Sequence, residues 1–118
     1  MSNAKAFGDV GEQLARDYLQ KQGMEILETR YRYGRGEIDI VVRDGEVLVF
    51  CEVKTRHSDE FGPPESAVTL RKQAQLKKIA EAYLYEHEIR EQICRFDVVA
   101  IRMNGNVPHF RHFKNAFW

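Results

Sequence analysis

The sequence GEIDIVVRDGEVLVFCEVKTR, residues 36–56, decides the fold of this chain. It contains two runs of alternating apolar residues separated by Asp44-Gly45, and Asp-Gly is a strong signal for a two-residue hairpin turn because it tolerates positive φ. We therefore predict two antiparallel strands joined by this turn. In that register Arg43 faces Glu46, and the pairing continues outward from there.

Four ionisable side chains lie on one face of the predicted hairpin. Glu37 falls opposite Glu52 and Phe50 opposite Asp39, and Lys54 shares the acidic face because side chains alternate along a strand. Asp39 and Glu52 become diagonal neighbours, close enough to share an ion. The acidic face also carries apolar residues, and the opposite face is predicted to be core: Ile38, Ile40, Val42, Val47, Val49, Cys51 and Val53.

A divalent cation would explain why carboxylates stand together among apolar residues, where they repel each other and resist burial. Mg²⁺ typically takes one or two carboxylates and keeps several waters, which suits Asp39 and Glu52. Lys54 would lie beside the ion, able to hold or deprotonate a water or to meet a phosphate. The alternative is a solvated hairpin end whose acids pair with lysine. The three residues together favour the metal site, because apolar residues surround them.

An Asp at a strand end, a hairpin and then Glu-x-Lys resemble the core of the PD-(D/E)XK nuclease superfamily. The longer strings GEIDI, FCEVKTR and CRFDVVAI, starting at Gly36, Phe50 and Cys94, resemble more narrowly the YraN family of uncharacterised bacterial proteins. This resemblance covers about Ala6 to Trp118. It implies an α/β fold that is restriction endonuclease-like, with a mixed five-stranded sheet flanked by helices.

The resemblance also implies a function, namely a Mg²⁺-dependent endonuclease acting on DNA, with Mn²⁺ as the alternative metal. Asp39, Glu52 and the carbonyl of Val53 would hold the metal, and Lys54 would orient or activate the attacking water. Glu12 would be an outer ligand or would order a metal-bound water, although its place near a helix start equally fits a capping box. Likeness to archaeal Holliday junction resolvases raises branched DNA as substrate and a homodimer as the form.

Basic side chains cluster in two places that could contact DNA. Residues 29–36, TRYRYGRG, interleave arginine, which can contact phosphates, with tyrosine, which can stack on unpaired bases. A predicted second helix begins with cations at its positive end, an arrangement that suits a phosphate. The candidate substrate contacts are Arg30, Arg32, Arg35, Arg56, Arg71, Lys72 and Gln73. In both places an ordinary solvated surface explains the pattern as well.

Composition bounds the class of protein. The 118 residues are enough for one domain, residues 1–118, and the formal net charge is zero, so any nucleic-acid binding must come from local clustering. Two distant cysteines, Cys51 and Cys94, fit structural packing in a reducing cytosol and not a disulfide framework. No apolar run approaches the roughly 20 residues that a membrane span needs. We therefore expect a cytoplasmic protein that does not bind membranes.

A second hypothesis belongs to another class, a nucleic-acid-binding or partner-binding module that keeps the nuclease fold without cutting. The complete set of Asp39, Glu52 and Lys54 argues against this hypothesis, and the zero net charge argues mildly for it. In a third hypothesis the acids are purely structural.

Periodicity and turn signals predict the remaining elements. They are a helix over Gly8–Gln22 with Asp9 as N-cap, a strand over Met24–Arg32, a helix over Thr69–His87, a strand over Arg95–Arg102, a turn at Asn104-Gly105 and an edge strand over Val107–Lys114. Residues 55–66 predict a loop that is either a flap over substrate or an exposed connector. Asp97 is expected to pair with a neighbouring Arg more readily than to support a metal ligand.

Overall fold

The computed structural model describes residues 3–57 and 68–117, which form two helices and five strands. In chain order they are α1 (Asn3–Lys21), β1 (Glu25–Tyr33), β2 (Gly36–Asp44), β3 (Val47–Arg56), α2 (Leu70–Glu86), β4 (Cys94–Asn104) and β5 (Val107–Phe117). The strands form one sheet in chain order, with β3 and β4 parallel and all other neighbours antiparallel. This confirms the predicted α/β fold with a mixed five-stranded sheet. Most of the predicted flap, residues 58–67, lies outside the described residues.

The two helices cover opposite faces of the sheet, so each face has its own hydrophobic core. On one face Ala15 and Leu19 of α1 pack in a cluster with alternate residues of β2, β3 and β4. On the other face α2 contributes Leu76, Ile79 and Tyr83 to a cluster that includes Val41, Leu48 and Phe50. Central strands covered on both sides explain why the sequence of β2 and β3 is apolar at successive positions. Neither of these helices is both long and apolar enough to cross a membrane.

The β2–β3 hairpin has a different register from the predicted one. Asp44 pairs with Val47, so the turn consists of Gly45 and Glu46, and Gly45 has a φ of 62°. Glycine is favoured at the first central position of a two-residue turn of type II′, which requires positive φ there. The predicted pairing of Phe50 with Asp39 is therefore wrong, since Phe50 pairs with Val41.

The β4–β5 hairpin shows the same difference from prediction. Asn104 pairs with Val107, which leaves Gly105, with a φ of 62°, and Asn106 as the turn. The predicted edge strand is confirmed, and it continues beyond Lys114 to Phe117.

β2 changes the phase of its side-chain alternation at Asp39. Ile38 lies in the core under α2, not with Ile40 on the α1 face as predicted. Main-chain pairing between β2 and β3 runs from Ile40 to Asp44. At Asp39 the side-chain Oδ2 accepts a hydrogen bond from the main-chain N–H of Val53 at 2.7 Å instead. A carboxylate thus takes the place of a main-chain acceptor where the two strands separate.

Residue chemistry predicts Thr69 as the N-cap of the second helix and Gly23 as the stop of the first, and the structure agrees at both of these ends but not at Asp9. Thr69 caps α2 by accepting the N–H of Lys72 at 3.1 Å, and Gly23, with a φ of 90°, follows the end of α1. α1 begins at Asn3, however, so the prediction of Asp9 as its N-cap is wrong. Asp9 lies inside the helix, where its carboxylate pairs with Arg30.

Candidate functional site

The residues predicted to hold a metal meet where β2 and β3 separate. Asp39, Glu52, Val53 and Lys54 line a cavity of about 520 Å³. Its other lining residues are Arg32, Gly34, Arg35, Gly36, Glu37, Lys72 and Gln75. The cavity therefore combines carboxylates with cationic side chains and little apolar surface.

Glu52 is the most deeply buried acid of this cavity, with its side chain 5% exposed. Two ammonium groups approach its Oε2, Lys54 Nζ at 3.7 Å from the same strand and Lys72 Nζ at 3.5 Å from the first turn of α2. A buried charge requires such partners, because its desolvation is otherwise costly. Lys72, a cation that the helix dipole disfavours near the start of α2, thus has an anionic partner.

Asp39 has an unusual proton affinity for an aspartate. Burial raises its pKa to about 9, and the hydrogen bond and negative charge of the nearby Glu52 add to this rise, while the N–H of Val53 opposes it. In the metal-free protein the Asp39–Glu52 pair therefore holds a proton at neutral pH. Two adjoining carboxylates typically share a proton when no cation lies between them to compensate their charge.

The raised pKa of Asp39 makes the metal-free protein sensitive to pH. Between pH 4 and 9 the folded state holds a proton on Asp39 that the unfolded state has released, so stability falls as pH rises through this window, by at most about 1.4 kcal/mol per pH unit from this group. Asp39→Asn keeps an acceptor for Val53 and removes the titration. Urea unfolding in EDTA should show the variant gaining on the wild type from pH 6 to pH 8. A constant difference between the two proteins would contradict the shift.

Two further carboxylates, Glu12 on α1 and Glu37 on β2, lie close to Asp39. Carboxylate oxygens of Glu12, Glu37 and Asp39 lie within 4.8 Å of one another, a grouping that could hold a metal ion. Glu12 reaches the sheet because α1 passes very close to β3 at Gly11, where an added Cβ would lie 2.0 Å from Thr55 Oγ1. Glycine is therefore required there for steric reasons, one residue before Glu12.

Glu37 was recognised in the sequence as part of the acidic face but was not assigned to the site. Its parity with Asp39 was the available signal, and the register error placed it against Glu52. In the structure its Oε2 lies 3.1 Å from Arg32 Nε at the cavity wall.

The predicted phosphate contacts do not all reach the cavity. Arg32, Arg35 and Lys72 line it, and Arg56 lines an adjoining cavity together with Glu12, Asp39 and Lys54. Arg30 instead forms ion pairs with Asp9 and Glu12, which raise its pKa further.

Two predicted positions on α2 lie elsewhere. Arg71 is exposed and is not among the lining residues of either cavity. Gln73 donates its side-chain N–H to the carbonyl of Val68 at 3.2 Å and lines a different cavity, beside β4 and β5. Gln75 takes the expected place, because residues three apart on a helix share a face and Gln75 lies three after Lys72.

Asp97 belongs to a separate buried cluster, as its expected pairing with arginine is confirmed. Its fully buried carboxylate accepts two hydrogen bonds from Arg95, at 2.8 and 3.0 Å, and one from the N–H of Asn115 at 3.0 Å, and it contacts His112 Nε2 at 2.7 Å. Burial raises the pKa of Asp97, but the contacts with His112 and Arg95 outweigh it, so the net pKa is lowered. This cluster joins β4 to the edge strand β5.

The cysteines are free thiols whose pKa values are raised by burial, strongly for Cys51 and less for Cys94. A raised pKa leaves little thiolate, so neither is a competent nucleophile or soft-metal ligand in this state. Their expected packing role is confirmed for Cys51, which lies in the α1 core.

Comparison with known proteins settles the family. A family model described as "Uncharacterised protein family UPF0102" matches residues 11–101. The chain belongs to the UPF0102 family. A UPF0102 protein of Geobacter metallireducens is 46% identical over 113 residues, covering 96% of this chain and 93% of the relative. One of Trichlorobacter lovleyi is 47% identical over 115 residues, covering 96% and 91%. One of Caldicellulosiruptor saccharolyticus is 41% identical over 117 residues, covering 98% and 99%.

The UPF0102 assignment confirms the YraN-like resemblance seen in the sequence strings, across nearly the whole chain. The matched segment begins at Gly11 and therefore includes Glu12 together with every residue that lines the 520 Å³ cavity. The family description and the names of these relatives state no activity, so function has to be argued from the geometry.

Proposed function

We propose that this UPF0102 protein is a Mg²⁺-dependent endonuclease that hydrolyses phosphodiester bonds in DNA. The observation that carries the proposal is the single cavity in which Asp39, Glu52 and Lys54 lie together, with arginine and lysine around them. Phosphoryl transfer needs a metal site, a positioned water and cations for the phosphate, and this cavity has residues for each need.

The carboxylates fit a small, hard cation. Mg²⁺ prefers oxygen ligands at about 2.0–2.1 Å, and ligand oxygens on one ion lie within about 4.2 Å of each other. The oxygens of Glu12, Glu37 and Asp39 lie within 4.8 Å of one another, so they would move slightly closer together on binding an ion, and Asp39 also adjoins the buried Glu52. The proton held by the Asp39–Glu52 pair marks the deficit of positive charge that a divalent ion would fill. Mn²⁺ takes the same oxygen ligands and is the alternative.

The carboxylates and Lys54 have defined parts in the proposed reaction. Asp39 and Glu52 would hold the metal, with the carbonyl of Val53 as a further ligand, and Glu12 would be an outer ligand or would order a water beside it. The bound metal supplies charge stabilisation to the phosphate oxygens. Lys54 Nζ, held beside Glu52, orients the attacking water toward phosphorus.

The cations around the cavity would bind the DNA backbone. Arg32, Arg35 and Lys72 position the scissile phosphate, and Arg56 meets the neighbouring one. Arg71 could contact a more distant phosphate from its exposed position on the first turn of α2.

Likeness to the PD-(D/E)XK nucleases supports the same reaction class. The Asp at the start of a separated hairpin and the Glu-x-Lys of the next strand converge here as that likeness implies. The likeness is an argument from fold and motif, and it adds branched DNA and a homodimer to the proposal.

The test is cleavage of a DNA panel by the purified protein in Mg²⁺ or Mn²⁺, with EDTA as the blank. The panel contains duplex, single strand, flap and four-way junction, and light scattering gives the oligomeric state in the same buffer. Metal-dependent cuts inside at least one substrate support the proposal. Absence of cleavage on every substrate in both metals would contradict it.

One observation favours the second candidate, a binding module that does not cut. Arg30 pairs with Glu12 of the adjoining cavity and Arg32 pairs with Glu37, which reduces the positive charge offered to DNA. Salt-sensitive DNA binding without cleavage in the same panel would support this candidate.

A further inference from the structure

A groove with exposed aromatic residues adjoins the proposed catalytic cavity and has no part in the reaction described above. It has a volume of about 580 Å³ and is lined by Tyr33, Lys78, Glu81, Ala82, Tyr85 and Glu86. Tyr33 is 56% exposed and Tyr85 is 88% exposed. These two accessible tyrosines offer aromatic faces on which a planar partner can stack.

The groove continues the cavity along the same two elements. Tyr33 ends β1 and is flanked in sequence by Arg32 and Gly34, which both line the cavity. On α2, residues 72 and 75 line the cavity and residues 78, 82 and 85 line the groove. This spacing of three or four residues describes one stripe along the helix.

The distance along α2 from the cavity to the groove is comparable with one or two nucleotide steps of a DNA strand. Gln75 and Ala82 are separated by two helical turns, about 10 Å along the axis at 1.5 Å per residue. A chain whose phosphate lies in the cavity can therefore place an adjacent base in the groove without leaving the surface. Lys78 lies between them on the helix, where its ammonium can meet the connecting phosphate.

The charges of the groove favour a base over a phosphate. Glu81 and Glu86 repel phosphate oxygens, but their carboxylates accept hydrogen bonds from the N–H groups on the edge of an unpaired base. The cavity shows the opposite balance, with Arg32, Arg35 and Lys72 available for the backbone. The cavity would thus bind the phosphate backbone, and the neighbouring groove would bind the base.

We infer that the Tyr33–Tyr85 groove binds an unpaired nucleobase next to the scissile phosphate, which makes the substrate DNA with single-stranded character. This inference rests on the proposed nuclease function for the place of the phosphate. A base within a duplex is stacked on both sides and paired at its edge, so it cannot enter the groove. Aromatic stacking binds any of the four bases, so no sequence preference is expected from this site.

The test compares two labelled single strands by fluorescence anisotropy, one with all its bases and one of equal length made of abasic sugar-phosphate. Ca²⁺ replaces Mg²⁺ so that the strands stay intact. The wild type should bind the strand with bases about tenfold more tightly, which is the usual size of one stacking contact. Tyr33→Ala with Tyr85→Ala should lose this ratio, and the corresponding pair of Phe variants should keep it.

Both side chains are largely exposed, so the variants should fold, and melting curves check this. An unchanged ratio in the Ala variant, or a ratio near one in the wild type, overturns the base site. Cleavage of the panel in Mg²⁺ is scored separately. A tyrosine-dependent ratio without any cleavage would retain the base site and reject the nuclease. Cleavage with a tyrosine-independent ratio would do the reverse.

Discussion

Glu52→Gln should lower the rate of metal-dependent DNA cleavage by about 10²–10³-fold or more, because the metal that would stabilise the transition-state charge loses a ligand, and the loss of one such stabilising interaction typically has this effect. The substitution keeps the shape of the side chain and removes the negative charge that Lys54 and Lys72 face. Asp39 would remain as the acid nearest the metal, but without its partner the ion should be held weakly.

Metal binding gives a second readout for Glu52→Gln that does not depend on cleavage. Mg²⁺ or Mn²⁺ at about 100 times its dissociation constant should stabilise the wild type by about 2.7 kcal/mol, and the variant should lose most of this effect. Lys54→Ala should reduce cleavage while retaining the metal effect, because lysine orients water and is no ligand. The double variant should cut no more slowly than the worse single one, since both residues serve one step.

Glu46→Gln is the matched control for the acid. Glu46 lies exposed in the β2–β3 turn, at the other end of β3 from the cavity, so its loss should leave cleavage and metal stabilisation unchanged. Equal metal stabilisation of Glu52→Gln and the wild type would contradict the assignment of Glu52 as a ligand.

Asp97→Ala should lower the free energy of unfolding by about 3–5 kcal/mol, which is the usual result of removing one member of a buried ion pair. Arg95 would lose both hydrogen bonds to this carboxylate, and His112, with a side chain only 6% exposed, would lose its contact at 2.7 Å. The edge strand would also lose the anchor at the N–H of Asn115. The loss is a large fraction of the stability of a typical small domain.

Urea unfolding at pH 7 measures this effect, and Asp17→Ala on the exposed face of α1 is the control, with an expected change within about 0.5 kcal/mol.

The lowered pKa of Asp97 also fixes the sign of the pH effect. Its contribution is present above the unfolded value near 3.8 and is lost as pH falls through the lower folded value. The gap between wild type and variant should therefore narrow in acid, and a gap that stays constant would contradict the ion pairs.

The strands and helices were predictable because hydrophobic periodicity is a local property. β2 and β3 were recognised from their alternation, and α2 from its apolar stripe and the Thr69 cap. The registers of the two hairpins were not predictable. Each Asp-Gly or Asn-Gly sequence allows a turn that begins with the Asp or Asn and another that begins with the Gly, and the two turns give different strand pairings. Gly45 and Gly105 both take that position in the structure.

The candidate site was predictable as far as residue types on one strand face could show it. Glu52 and Lys54 share a parity on β3, which survives a register shift of two residues. Asp39 was predicted from the same alternation, but in the structure it lies where β2 changes phase, and its hydrogen bond from the N–H of Val53 joins it to β3 at the site. The place of Gln75 in the cavity depended on the rotation of α2 about its axis, and the place of Glu37 depended on the exact hairpin register. The sequence gives neither. The place of Arg30 depended on contacts with α1, where Glu12 and Asp9, which lie 18 and 21 positions earlier in the sequence, form ion pairs with it.

The parallel pairing of β3 with β4 has a consequence for how this protein folds. Leu48 pairs with Cys94, about 46 positions further along the chain, whereas the other strand pairs close through short turns. Contacts between residues so distant in sequence form slowly, because the loop entropy is lost before the contacts repay it. Glu52 lies on β3, and its partner Lys72 lies on α2, further along the chain. During synthesis Glu52 therefore emerges before Lys72, and this acid gains that ammonium partner only when the second half of the chain has docked.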